Sequence, residues 1–306
     1  MADAMMSCAC CGKAEVDDIK LKICTACKLV KYCSVNCQKN HRSQHKKACK
    51  KRAAEIRDAR LFTQPDESHL GECPLCCLPI PLDKRKSTIN TCCSKLFCNG
   101  CVYANKLREW ELNLEPACPF CRETLPKSEE ESKKINMKRV KVNDPVALCQ
   151  EGKQCFRDGK YAKQFEYQTK AVELGNIESH YQLSFCYDDG LAVEKDPKKK
   201  VYHLEEAAIG GHAEARYNLG CIEAENGRHE RAMRHYIIAA KLGHSKANCG
   251  TEDGDGALDL LQQWHSVGFV SKENFEAALR GYQSTIEAAK SQQRDAAEEY
   301  YKQCGL

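Results

Sequence analysis

The sequence predicts a mainly α fold in which two small cysteine-rich finger modules precede an α-helical repeat solenoid. Three observations carry this reading. Cysteines crowd the front of the chain, 17 of the 23 lying in the first 121 residues. Many of them form Cys-x-x-Cys pairs, among them Cys73/Cys76, Cys98/Cys101 and Cys118/Cys121, in a stretch too short and polar to bury a core of its own. Further on, AVELGN (171–176), AAIGGH (207–212) and AAKLGH (239–244) return at intervals of 32 to 36 residues, a period that belongs to helical repeat arrays.

Composition bounds the rest. The 306 residues, 42% apolar and 29% charged, fit a soluble globular chain of two or three units. A net charge of +4 is small for this length, so no polyanionic partner follows from it. No run approaches about 18 apolar residues, and the N-terminus MADAMMSCACC lacks the basic and apolar regions of a leader. The expected location is intracellular, cytoplasmic or nuclear, without a membrane span. Paired thiols in such a chain bind metal more often than they form disulfides. Zinc suits sets of four soft ligands and contributes about 10–16 kcal/mol of folding free energy in small fingers. Both modules are therefore expected to be zinc-stabilised. The six later cysteines, Cys149, Cys155, Cys186, Cys221, Cys249 and Cys304, stand alone and read as core or surface residues.

The first module, residues 8–49, offers Cys8, Cys11, Cys24, Cys27, Cys33, Cys37, His45 and Cys49, enough for two zinc ions. Cys33 and Cys37, like His45 and Cys49, stand four apart, which places both donors on one helix face. Loops would offer the first four ligands and short helices the last four. The order of two Cys-x-x-Cys pairs, YCSVNCQ and then H-x-x-x-H-x-x-x-C resembles a MYND finger. That resemblance implies interleaved ligation, Cys8, Cys11, Cys33 and Cys37 on one ion and Cys24, Cys27, His45 and Cys49 on the other. Cys10 and His41 remain as competing donors. It also implies a protein-binding module for short proline-containing peptides. The basic run KKACKKR reads as a solvated helix face rather than a nucleic-acid patch, since Cys49 within it is needed for zinc.

Residues 50–72 read as a helix, with Ala53, Ile56 and Leu61 only loosely periodic, followed by a Pro, Asp, Glu, Ser and Gly linker. The second module, residues 73–122, resembles a RING finger in an all-cysteine variant, because no histidine precedes the third pair. The resemblance implies Cys73, Cys76, Cys98 and Cys101 on one zinc and Cys92, Cys93, Cys118 and Cys121 on another. Adjacent ligands are uncommon, so this module takes one or two ions. Cys77 looks like a spare thiol. Leu75, Trp110, Pro119 and Arg122 match the positions with which RING fingers hold a ubiquitin-conjugating enzyme. Alternatively, Leu75 and Trp110 form the mini-core between the two metal sites.

Residues 123–145 switch from acidic to basic and read as a charged linker, either extended or a connecting helix. Residues 146–290 resemble Sel-one-like repeats, tetratricopeptide-like helical hairpins, through G-L-A-V-E-K-D at Gly190 to Asp196 and the recurring A-A-x-x-G. Gly159, Gly190 and Gly227 mark the turns, alanines the close approaches, and Leu183, Tyr187, Tyr202 and Leu204 the core. Ser271 reads as an N-cap. His180, His203, His212, His235 and His244 read as cap, surface or packing residues. An insertion at about 248–256 carries Glu252, Asp253 and Asp255 but lacks the register of a calcium loop. Residues 291–306 read as a capping helix.

Every part is a mode of protein contact. No catalytic triad, phosphate loop or open zinc position is visible. The expected function is a zinc-binding protein–protein interaction protein, in its sharper form a RING-type ubiquitin ligase without a nucleophile, whose repeats or MYND finger select the substrate. The alternative is a non-catalytic scaffold with a degenerate RING. A nucleic-acid-binding zinc protein is the least favoured.

Overall fold

Tight turns and very short strands, rather than an apolar core, shape the front of the chain. The computed structural model describes residues 7–17, 19–244 and 256–305. Two compact units result, Met1–Thr63 and Gln64–Leu306. In the first, β1 (Lys22–Ile23) pairs antiparallel with β2 (Lys31–Tyr32). Helix α1 (Val35–Asn40) starts at Ser34, whose hydroxyl accepts the Cys37 amide proton at 3.2 Å. His41 turns the chain into α2 (Arg42–Leu61), a single helix of 20 residues where the sequence suggests a short ligand helix and a separate bridging one. The small core is Cys8, Leu21, Cys24, Cys27 and Tyr32. Most of α2 is exposed, with Leu61 buried at its end.

The second unit opens with the other finger. Its hairpin, β3 (Ser87–Asn90) against β4 (Lys95–Cys98), pairs Ser87 with Cys98 and Asn90 with Lys95. Helix α3 (Asn99–Glu111) follows directly. Ile80 and Phe97 are buried with Cys73, Cys98, Cys101 and Cys118, and Leu70, Leu96, Val102 and Leu125 pack around them. The acid-to-basic stretch that follows is α4 (Glu129–Lys141). Ser128 caps it, three glutamates fill its first turn and Lys138, Arg139 and Lys141 its last, so the charge switch complements the helix dipole. Asn136 and Val140 bury it against the next helix, and it is no free linker.

Helices α5 (Pro145–Arg157), α6 (Tyr161–Glu173), α7 (Ile177–Asp189), α8 (Pro197–Ile209), α9 (Ala213–Glu225) and α10 (His229–Lys241) are each 13 residues long. They pack as successive antiparallel hairpins, joined by α11 (Ala257–Ser266) and α12 (Lys272–Ala288). Gly159, Gly190 and Gly227 hold the hairpin turns at φ of 71 to 74°, where a side chain is strained. Between helices the fit is close: a Cβ on Gly220 would lie 2.4 Å from the Tyr236 ring. Ala171, Ala207, Ala208, Ala239 and Ala240 are wholly buried.

Leu183 and Leu204 lie in the core, but Tyr202 is 53% exposed. Two residues before Leu204, it points some 200° away around α8, so the core spacing proposed for it does not hold. Ser271 caps α12, accepting from the Asn274 amide. The last helix, α13 (Gln292–Gln303), packs against α3 of the finger. The 248–255 part of the insertion, with Cys249, Glu252, Asp253 and Asp255, lies outside the described residues. No helix among those described is long and apolar enough to cross a membrane.

Candidate zinc centres

The donors gather into four sets whose ligand atoms lie within 4.8 Å of one another: Cys8, Cys11, Cys33 and Cys37; Cys24, Cys27, His45 and Cys49; Cys73, Cys76, Cys98 and Cys101; Cys92, Cys93, Cys118 and Cys121. Both modules thus interleave their pairs. Sulfur separations are 3.5 Å for Cys11 and Cys33, 3.8 Å for Cys24 and Cys49, 3.7 Å for Cys76 and Cys98, and 3.8 Å for Cys93 and Cys118. Tetrahedral zinc with bonds of about 2.3 Å requires donors about 3.8 Å apart. All sixteen cysteine and histidine positions therefore suit the ion, and their thiols are free rather than bridged.

Local backbone geometry explains how the pairs are aimed. After the second cysteine of four pairs the chain enters the left-handed region, at Gly12, Lys28, Cys77 and Arg122, with φ of 54 to 75°. Each of these residues donates its amide to the carbonyl of the first cysteine, four positions back, at 2.8 to 3.0 Å. This turn points further backbone N–H groups at the first sulfur. Burial opposes ionisation of Cys8, Cys24 and Cys118, yet such N–H groups bring them down to about 6, 6 and 7. At Cys73 the Cys98 thiol and then backbone N–H groups bring it to about 4. The thiols facing them move the other way. Hydrogen bonding with Cys11 pushes Cys33 up to about 12, and burial pushes Cys49 up to about 11. Four thiolates cannot share so small a space without a cation, and a doubly charged one relieves their repulsion.

The competing donors fall outside the sets. His41 Nδ1 is 3.1 Å from the Tyr32 hydroxyl, whereas His45 Nε2 is 3.2 Å from the Cys27 sulfur. Cys10 is exposed and belongs to none of the four. Cys92 and Cys93 both enter the same set, and the chain turns immediately after them at Ser94 (φ 54°). Cys77, spare by its sequence, occupies a turn position.

Three supporting groups have no signature in the cysteine pattern. Asn90 Nδ2 donates to the Cys118 sulfur at 3.2 Å. Arg139 of α4 pairs with Asp144, the cap of α5, and donates to the Ser94 hydroxyl at 2.8 Å, tying the Cys92–Ser94 turn to the array. Arg294 of α13 donates to the Pro79 carbonyl at 2.7 Å, the Leu78 carbonyl at 3.2 Å and the Cys76 sulfur at 3.5 Å. Gly100 makes room for it, as a Cβ there would lie 2.8 Å from Arg294 Cγ.

Leu75 and Trp110 are 39% and 81% exposed. They are not the mini-core; Ile80 and Phe97 are. Arg122 is exposed and Pro119 half-buried.

A fifth group, His69, Glu178 and His212, has metal-ligand spacing, and no sequence motif joins its three members; His212 is the cap residue expected of it. His212 is the N-cap of α9, and its Nδ1 accepts the Ala215 amide proton at 3.2 Å. Its proton therefore sits on Nε2, 3.1 Å from Glu178, which makes it a donor and not a ligand. Lys153 meets the same carboxylate at 2.7 Å. Burial raises the Glu178 carboxyl, but His212, His69 and Lys153 hold it well below the usual range. The group borders a cavity of about 1360 Å³ between the β3–β4 hairpin and the first turns of α5, α7 and α9. Lys84, Arg85, Lys95 and Lys153 there are balanced by Glu72, Asp83, Glu178 and Glu214.

Among known proteins, the chitin synthase regulator SKT5 of Saccharomyces cerevisiae is 42% identical over 50 residues, 16% of this chain and 7% of that protein's length. A Sel1 repeat protein from Oxalobacter formigenes overlays 61% of this chain and 71% of its own, with 18% identity and a TM-score of 0.42. The protective antigen c5321 of uropathogenic Escherichia coli, which displays an SLR fold, covers 57% of this chain and 37% of its own, with 18% identity and a TM-score of 0.39. Residues 8–49, the interleaved first module, match the family model of the MYND finger.

Proposed function

We propose that the chain is a zinc-binding interaction protein whose second finger works as a RING-type ubiquitin ligase, with the MYND finger and the helical array choosing what is modified. The zinc ligands are the sixteen residues of the four sets. Leu75, Trp110, Pro119 and Arg122 receive the conjugating enzyme, which carries the thioester, so the finger needs no nucleophile. One observation carries this reading: the eight thiols at Cys73 to Cys121 form two interleaved sets while Leu75, Trp110 and Arg122 beside them stay exposed. An exposed tryptophan, leucine and cation on one finger supply the composition of a contact surface. The MYND finger takes short proline-containing peptides, and the array takes protein clients.

The test is chain formation by the zinc-loaded protein with a panel of conjugating enzymes. Wild type is expected to build ubiquitin chains, and Leu75→Ala and Arg122→Ala to lose them at unchanged zinc content. Absence of chains across the panel would leave a scaffold. That second reading is favoured by α13, which packs on α3, the helix that carries Trp110 in its last turn.

A further inference from the structure

Charge is divided unevenly between the two units. Residues 1–63 hold 14 Lys and Arg against 6 Asp and Glu, a net charge of +8, whereas residues 64–306 hold 33 against 37, a net of −4. The small sum for the whole chain hides this. Helix α2 alone carries eight of the cations, Arg42, Lys46, Lys47, Lys50, Lys51, Arg52, Arg57 and Arg60, and two acids, Glu55 and Asp58.

Its geometry concentrates them. His45 and Cys49 commit one side of α2 to the metal set. At 100° per residue, Arg42, Lys46 and Lys50 fall within a sector of about 80° next to that side, and Lys47 and Lys51 extend it to about 180°. All five side chains are exposed. From Arg42 to Lys51 the stripe is about 14 Å long. A nucleic-acid duplex presents one phosphate per about 1.7 Å of axis, more than enough to meet each cation.

What α2 lacks selects among polyanions. A helix that lies on an anionic membrane needs an apolar face, and the exposed side of α2 outside the stripe carries Gln44, Ala48, Arg52 and Glu55 instead. A protein interface needs apolar or aromatic anchors at its centre, but from Arg42 to Ala54 the exposed apolar residues are alanines. The only aromatics in residues 1–63 are Tyr32, which is buried, and Phe62, which is half-buried. With no exposed Phe, Tyr or Trp to stack on bases, contact is confined to phosphates, which position a protein without reading sequence.

We propose that the exposed face of α2 binds the phosphate backbone of a nucleic-acid duplex, independent of sequence. This surface is separate from the thiol sets and from the ligase reading.

The experiment is fluorescence anisotropy with the full, zinc-loaded chain and two labelled DNA duplexes of unrelated sequence, over a series of salt concentrations. Both duplexes are expected to bind alike, and the slope of log affinity against log salt to be about −4 to −5, the release expected for five phosphate contacts. Replacing Lys46, Lys47, Lys50 and Lys51 together by Glu should lower affinity at least tenfold at unchanged zinc content. Replacing the same four by Gln, a milder change should the first variant misfold, should bring the slope to about −1. Unaltered affinity in the Gln variant overturns the proposal. So does binding of polyglutamate or anionic vesicles as tight as that of the duplexes.

Discussion

Cys77, Lys28 and Arg122 share one backbone position, just after a Cys-x-x-Cys pair, at φ of 54 to 65°. Glycine fills it in the first pair, at Gly12. Since a side chain at this φ costs about 1 kcal/mol, Cys77→Gly should keep its zinc and lose no thermal stability, whereas Cys76→Ala should release an ion; metal analysis and a melting curve separate the two. The sixteen donors were legible from residue type and spacing, because ligand chemistry is written locally. Arg294 was not, since it reaches the Cys76 sulfur from 218 residues away. Its guanidinium offsets thiolate charge there, so Arg294→Ala is expected to speed zinc transfer to a chelator severalfold, read by a metal-sensitive dye, with the MYND finger's ions unaffected.

At the scale of elements, the array was readable because its period and turn glycines recur. The alanine positions likewise announced close helix contacts. Gly220 tests that closeness: in an exposed helix Gly→Ala gains about 1 kcal/mol, but against Tyr236 the same change should cost about 1–3 kcal/mol, measurable in a urea titration. Tyr202 misled because a residue near the right spacing can still face outward; at 123–145 the sequence left a connecting helix and an extended linker both open, because strong charge masks α4, a helix that buries only Asn136 and Val140. The buried histidines give the array a pH dependence. Burial holds His203 and His244 near 4 and His235 near 3. Below about 6.5 the unfolded chain takes up protons that the folded one refuses, so stability falls as pH drops from about 6.5 toward 4, by about 1.4 kcal/mol per unit for each histidine. Denaturation followed by helical signal should show this slope, and His235→Gln should reduce it by one histidine's share, about 1.4 kcal/mol per pH unit.

For the whole molecule, two units of opposite charge respond differently to loss of metal. The first has a core of only five residues, three of them cysteines of the metal sets, so a strong chelator should unfold it outright. The array has its own cluster around Tyr236, Leu261 and Ala278 and should retain most of the far-ultraviolet helical signal; proteolysis would map the boundary near Thr63. The return of the last helix to the finger could not be seen in composition, because it depends on where the chain folds back, and the charge division was countable but needed the unit boundary at Thr63 to say where to divide. The contact of α13 with α3 also sets a schedule. At synthesis rates of about 5–20 residues per second, roughly 10–40 s separate the emergence of Cys76 from that of Arg294. Throughout that interval the finger's nascent thiols lack their guanidinium, and the ribosome-bound intermediate is the form most open to metal exchange and oxidation.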